Sequence, residues 1–184
     1  MSTIEIPGLK LLTPRRFYDH RGYFQETFRC DALERDLGLP LNFVQDNESL
    51  SKVPGIIRGL HFQRPPFAQA KLVRVVSGAA WDVAVDLRPD SPGFGTWQAF
   101  ELSADNGCQL FLPAGLAHGF CTLAENTLVQ YKVDNYYAPD CEGGIRWDDP
   151  DLKIDWPLSG RPAIVSDKDA ALPSWSGLDR IAWS

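Results

Sequence analysis

Lys71-Leu-Val-Arg-Val-Val-Ser-Gly-Ala-Ala-Trp-Asp-Val-Ala-Val-Asp-Leu87 decides how the rest of the chain reads. From Trp81 onward the apolar side chains fall on every second residue. Trp81, Val83, Val85 and Leu87 share one face, and Asp82, Ala84 and Asp86 share the other. That period belongs to a half-buried strand, with one face in a core and one in solvent. Residues 71–76 read as the preceding strand, joined to it by the turn-forming pair Ser77-Gly78. Working outward, further strands are expected over 96–102, 109–112, 119–123 and 127–133. Arg88-Pro-Asp-Ser-Pro-Gly93 and Ser103-Ala-Asp-Asn-Gly107 supply turns between them. Many short strands punctuated by Gly and Pro predict an all-β protein, an antiparallel barrel or sandwich.

One short helix is expected over 31–37. Asp31 is placed to cap it, Glu34 stands three residues on, Leu33 and Leu37 share a face, and Gly38 can end it. After about residue 140 the chain turns irregular, with Trp147-Asp-Asp-Pro150 and Asp155-Trp-Pro157. No internal repeat or domain boundary is visible. Residues 1–184 therefore read as one domain, with an N-terminal arm and a C-terminal segment packed on the barrel.

The 18 basic and 24 acidic residues give a net charge of −6, which argues against nonspecific binding to nucleic acid or an anionic membrane. Met1-Ser-Thr-Ile-Glu-Ile-Pro-Gly8 has no basic stretch followed by an apolar one, and no apolar run approaches the ~20 residues of a membrane span. Cys30, Cys108, Cys121 and Cys141 show no Cys-x-x-Cys spacing and read as free thiols. These features predict a soluble cytoplasmic protein.

The chemistry-bearing residues interrupt the strands. Arg58-Gly-Leu-His61-Phe-Gln63 is an extended stretch with two candidate catalytic groups, and Gly59 between them admits close approach. Lys71 opens the next strand, and His118 follows Pro113-Ala-Gly-Leu-Ala117. Tyr131 shares a strand face with Val129 and Val133, so its ring is expected to point with the apolar residues. Each alone has an ordinary reading: a structural histidine, a solvated lysine, a core tyrosine, a surface arginine. Together they do not, because a barrel interior holds several ionisable groups only where a ligand or network uses them. The chain has three histidines, His20, His61 and His118, and Gln63 stands two after His61, so no His-x-His pair exists. The usual histidine-rich metal site is not available, and no metal is expected. No Gly-x-Gly-x-x-Gly fingerprint suggests a dinucleotide cofactor.

At these residues the chain resembles the cupin superfamily and, within it, the dTDP-4-dehydrorhamnose 3,5-epimerase family. The second cupin motif appears as Gly107-x5-Pro113-x-Gly115-x2-His118, and the first is degraded at Gln63. Further blocks are Asp19-His-Arg-Gly-Tyr-Phe-Gln-Glu26, Phe43-Val-Gln-Asp-Asn47, residues 57–63, Lys71-Leu-Val73 and Asp82-Val-Ala-Val-Asp-Leu-Arg88. They continue in family order through Pro113–Phe120, Tyr131-Lys132, Asn135-Tyr-Tyr-x-Pro139 and Ser166-Asp-Lys-Asp169. The resemblance implies a cupin-type jelly roll that epimerises a dTDP-linked 4-keto-6-deoxy sugar at C3 and C5 without a cofactor. His61 would be the base, Asp169 rather than Asp167 its partner, Tyr131 the acid on the opposite face, and Lys71 the group that stabilises the enolate. Arg21, Glu26, Gln45, Asp46, Asn47, Arg58, His118, Glu142 and Lys168 would line the nucleotide-sugar site, and Tyr137 would stack on thymine. A homodimer is also implied. Asp169 is expected to fix the tautomer of His61 and favour its protonated form. The rival readings are a mono-epimerase at C3 or C5, a keto-isomerase, a non-catalytic cupin binding module and, disfavoured by the missing histidine, a metal-dependent oxygenase.

Overall fold

A computed structural model describes residues 5–178 and 181–183. Its strands, in chain order, are β1 (Lys10–Leu12), β2 (Arg16–Asp19), β3 (Gly22–Gln25), β4 (Gln45–Ser51), β5 (Ile57–Gln63) and β6 (Lys71–Ser77). They continue with β7 (Ala79–Asp86), β8 (Trp97–Ser103), β9 (Gln109–Leu112), β10 (Leu116–Thr122), β11 (Thr127–Val133) and β12 (Glu142–Gly144). Two short helices accompany them, α1 (Cys30–Leu37) and α2 (Asp167–Ala170). Sheet one has the order β1-β9-β6-β11-β4 and sheet two the order β12-β5-β10-β7-β8, while β2 and β3 form a separate hairpin. All the paired strands are antiparallel. This is the expected all-β jelly roll, drawn as two facing five-stranded sheets rather than one continuous closed barrel.

Period two sorts each strand between layers. In sheet one Val73, Val75, Leu110, Leu112 and Val129 point inward, and from sheet two Ala80, Ala84, Leu102, Leu116 and Phe120 meet them. Each buried Val or Leu there is worth roughly 1.5–3 kcal/mol of transfer free energy. Outside sheet one, Leu72 and Phe111 pack under Leu33 and Leu37 of α1. Outside sheet two, Leu60, Phe62, Val83, Val85 and Leu87 pack under the C-terminal segment through Leu152 and Trp156, with Trp175 and Trp183 at the margin.

The half-buried reading of β7 is corrected here. Its apolar face, Val83 and Val85, is covered by the C-terminal segment. Its mixed face is buried too, with Ala80, Asp82, Ala84 and Asp86 all fully enclosed. The carboxylates looked like a solvent face because sequence alone does not show what covers each side of a sheet. The helix is correct in place but not in its cap. Arg29 occupies the N-cap without a side-chain bond, and Asp31 lies in the first turn, where it pairs with Arg29. Glu34 accepts the Leu41 N–H instead of closing a capping box, and Gly38 ends the helix at φ 72°. The strand expected over 119–123 starts earlier, at Leu116, which puts His118 inside it. Among the described residues no helix is long and apolar enough to cross a membrane.

Candidate active site

Where the inward side chains turn polar, the sheets part around a cleft of about 500 Å³. Sheet two contributes Arg58, His61 and Gln63 from β5 and His118 from β10. Sheet one contributes Lys71 from β6, Tyr131 from β11, and Gln45 and Asn47 from β4. Tyr137, Glu142, Lys168 and Asp169 close the rim. Parity explains the selection: Lys71 shares its face with Val73 and Val75, and Tyr131 shares its face with Val129 and Val133.

His61 and His118 stand opposite one another across the β5–β10 ladder. The His61 Nε2–H donates to Asp169 Oδ1 at 2.8 Å, which leaves Nδ1 as the unprotonated nitrogen. The Gly59 N–H donates to Asp169 Oδ2 at 3.0 Å, so both carboxylate oxygens are engaged from β5. Gly59 has φ 114°, and a Cβ there would lie 2.7 Å from Gly119 Cα and from His118 O. Glycine is therefore what lets β5 approach the irregular stretch of β10 between His118 and Phe120. Asp169 is buried while Asp167 is exposed, so the structure pairs His61 with the carboxylate expected. Ser166 starts α2 by accepting the Asp169 N–H. Burial pushes the His61 pKa down, Asp169 pushes it up, and burial is the larger effect. Asp169 thus favours the protonated ring as expected, and burial, a separate effect, outweighs it.

On the facing sheet the Lys71 ammonium lies 6.0 Å from the centroid of the Tyr131 ring. Burial lowers the Lys71 pKa to about 8, against the opposing pull of Asp82 and Glu142. Burial also raises the Tyr131 phenol above its ordinary value, more than Arg58 lowers it, so Tyr131 keeps its proton at neutral pH. Behind the cleft the His118 Nε2–H meets both oxygens of the fully buried Asp82 at 2.9 and 3.0 Å. At the rim the Tyr137 hydroxyl donates to Glu142 Oε2 at 2.9 Å, and Lys168 Nζ donates to the same oxygen at 2.7 Å. Burial alone would raise Glu142, but these two bonds hold its carboxyl below the usual range.

Three of the sequence-predicted residues lie outside this cleft. Arg21 is exposed at the β2–β3 turn and pairs with Asp19. Glu26 follows β3 and faces Arg29. Asp46 points to the other side of β4, where it pairs with Lys132 at 2.8 Å. Conversely, Ser49, Gln69 and Ser166 line the cleft without having been singled out, and Gln63 was read only as a missing metal ligand. The parity of Gln45 and Asn47 was the available signal for Ser49. Among the described residues no three His, Cys, Asp or Glu side chains group as a metal ion would require.

A jelly roll whose cleft joins a histidine–carboxylate pair on one wall to a lysine and a tyrosine on the other defines a cupin-type protein equipped for proton transfer at carbon. The family pattern described as dTDP-4-dehydrorhamnose 3,5-epimerase matches residues 3–177. The dTDP-4-dehydrorhamnose 3,5-epimerase of Escherichia coli K12 is 49% identical over 177 residues, covering 96% of this chain and 95% of its own. The Bacillus anthracis dTDP-4-dehydrorhamnose 3,5-epimerase, solved with TDP and PPi bound, superposes with a TM-score of 0.88 at 51% identity, covering 94% of this chain and 98% of its own. The Legionella pneumophila dTDP-6-deoxy-D-glucose-3,5-epimerase, solved in complex with dTDP-4-keto-L-rhamnose, gives 0.90 at 43% identity, covering 96% and 92%. This chain belongs to the dTDP-4-dehydrorhamnose 3,5-epimerase family.

Proposed function

We propose that the protein converts dTDP-4-dehydro-6-deoxy-D-glucose to dTDP-4-dehydro-L-rhamnose, inverting C3 and C5 beside the 4-keto group in deoxysugar nucleotide synthesis. The observation that carries this reading is the placement of a base and an acid on opposite walls of one cleft. His61 Nδ1 takes the proton, with Asp169 holding the ring and stabilising the imidazolium that forms. Lys71 supplies positive charge to the enolate oxygen, which a weakly acidic C–H requires as much as it requires a base. Tyr131 returns a proton to the opposite face, as inversion demands. Arg58 and Lys168 bring positive charge to the diphosphate, Gln45, Asn47, His118 and Glu142 contact the nucleotide sugar, and Tyr137 stacks on thymine. The keto group acidifies the neighbouring carbons, so the reaction calls for neither a redox cofactor nor a metal.

The chain acts as one domain, a reading supported by the packing of its C-terminal segment against sheet two. Its place is the cytoplasm, in keeping with four unpaired cysteines. A homodimer is supported by the β2–β3 hairpin, which exposes Phe17, Tyr18, Tyr23 and Phe24 by 50–72%. Arg21 and Glu26 lie on or beside that hairpin, and pairing of two chains is the route by which they would reach a nucleotide site.

The test is proton NMR of the reaction in deuterated water. Solvent deuterium should enter at both C3 and C5. His61→Asn should abolish product and exchange, whereas Tyr131→Phe should suppress inversion and retain some exchange, each at a cost of ~10²–10⁴-fold in turnover. Exchange at one carbon alone would make the protein a mono-epimerase. Substantial exchange in His61→Asn would remove His61 as the base.

A further inference from the structure

Gln63 is buried to 4% exposure at the end of β5. Its amide is almost fully used. Nε2 donates to Phe67 O at 2.7 Å and to Tyr136 O at 3.2 Å, and Oε1 accepts the Ala138 N–H at 2.7 Å. The Tyr136 carbonyl belongs to the peptide unit before the Tyr137 Cα, and the Ala138 N–H to the unit after it. One side chain therefore grips the backbone on both sides of Tyr137. From the facing sheet, Gln45 Oε1 accepts the Tyr137 N–H at 3.1 Å. Little else restrains this residue: Tyr137 is 54% exposed, and its hydroxyl bond to Glu142 acts at the far end of the ring.

We infer that Gln63 is a positioning residue for nucleotide recognition, fixing the backbone of Tyr137 so that its ring is held ready for the base. This rests on the reading above in which Tyr137 stacks on thymine. The physical case is one of preorganisation. An exposed aromatic on an untied loop must lose conformational freedom when the ligand arrives, and that loss is subtracted from affinity. Restraining the two peptide units in advance moves the cost into folding. The bonds also need an amide: the same side chain must donate to a carbonyl and accept from an N–H. Leu offers neither group, and a carboxylate only accepts.

The experiment compares dTDP affinity, kcat and KM in Gln63→Leu, Tyr137→Ala and the double variant, using calorimetry with dTDP alone and initial rates with the keto-sugar nucleotide. Gln63→Leu should weaken dTDP binding about tenfold, with KM rising by a larger factor than kcat falls. In the Tyr137→Ala background the same change should cost less than about twofold, because Gln63 acts through Tyr137. Hydrogen exchange at the Ala138 amide should speed up in Gln63→Leu. If that variant does not fold, Gln63→Glu carries the test. It keeps the acceptor for Ala138, loses the donor for Tyr136, and should weaken dTDP roughly threefold. Equal losses from the Gln63 substitution with and without Tyr137 would overturn the inference, as would unchanged affinity in a Gln63 variant when Tyr137→Ala is weakened. Unchanged affinity in Tyr137→Ala itself would overturn the stacking reading beneath it.

Discussion

At His61 burial favours the neutral ring and Asp169 the charged one, with burial the larger influence. A base must be unprotonated to act, so the acidic limb of activity should lie below the ordinary histidine value of 6.5. Lys71 must be protonated to meet an enolate, and its pKa of about 8 places a basic limb there. Tyr131 contributes no limb near that pH, because burial pushes its phenol above 10.0. A kcat/KM profile should therefore be bell-shaped, with loss of rate as pH rises through about 8. Lys71→Arg should move the basic limb beyond about pH 9, because a guanidinium stays charged, while lowering the rate through its altered shape. An alkaline limb unmoved in Lys71→Arg would take the enolate charge away from Lys71. At this scale the sequence was most legible where a polar group broke an apolar pattern, as at His61, Lys71 and Tyr131. It was least legible at Gln63 and Asp82, whose work consists of bonds to partners far along the chain. Gln63 reaches Ala138 and Asp82 reaches His118, and no local pattern records such pairings.

The strands rich in apolar residues between turn signals, β6, β7, β9 and β11, could be read directly. β4 could not: its inward residues, Gln45, Asn47 and Ser49, line the cleft, so neither face carried a continuous apolar stripe. The contact between β5 and β10 is not legible in the sequence, where Gly59 shows only that something can approach closely. There the structure adds a positive φ, a backbone neighbour and the N–H that holds Asp169. Gly59→Ala should therefore act on the whole element. A Cβ 2.7 Å from two backbone atoms, in a conformation that L residues avoid, should cost about 2–4 kcal/mol in chemical denaturation. Activity should fall further than stability, because the same displacement moves His61 and Asp169 apart. A variant with native stability and rate would mean that β10 yields easily at this point.

The β2–β3 hairpin, with its exposed aromatic rings, is the part of the molecule least accounted for by its own chain. Light scattering should give twice the chain mass of 20.5 kDa, and Phe24→Lys should shift the population toward the single chain. A mass near 20.5 kDa across a wide concentration range would exclude the pairing. The layer order also has a bearing beyond catalysis. Helix α1 and the C-terminal segment each cover an outer sheet face, and beyond the central cluster the inner faces are given over to the cleft. On β7 packing and chemistry fall on opposite sides, Val83 and Val85 outward and Asp82 inward, whereas on β6 and β11 the cleft's Lys71 and Tyr131 share the inner face with the valines that join the sheets. Lineages descended from such a scaffold can rewrite which sugar is accepted by changing the polar letters of the inner face, while the apolar letters of that same face go on keeping the sheets together.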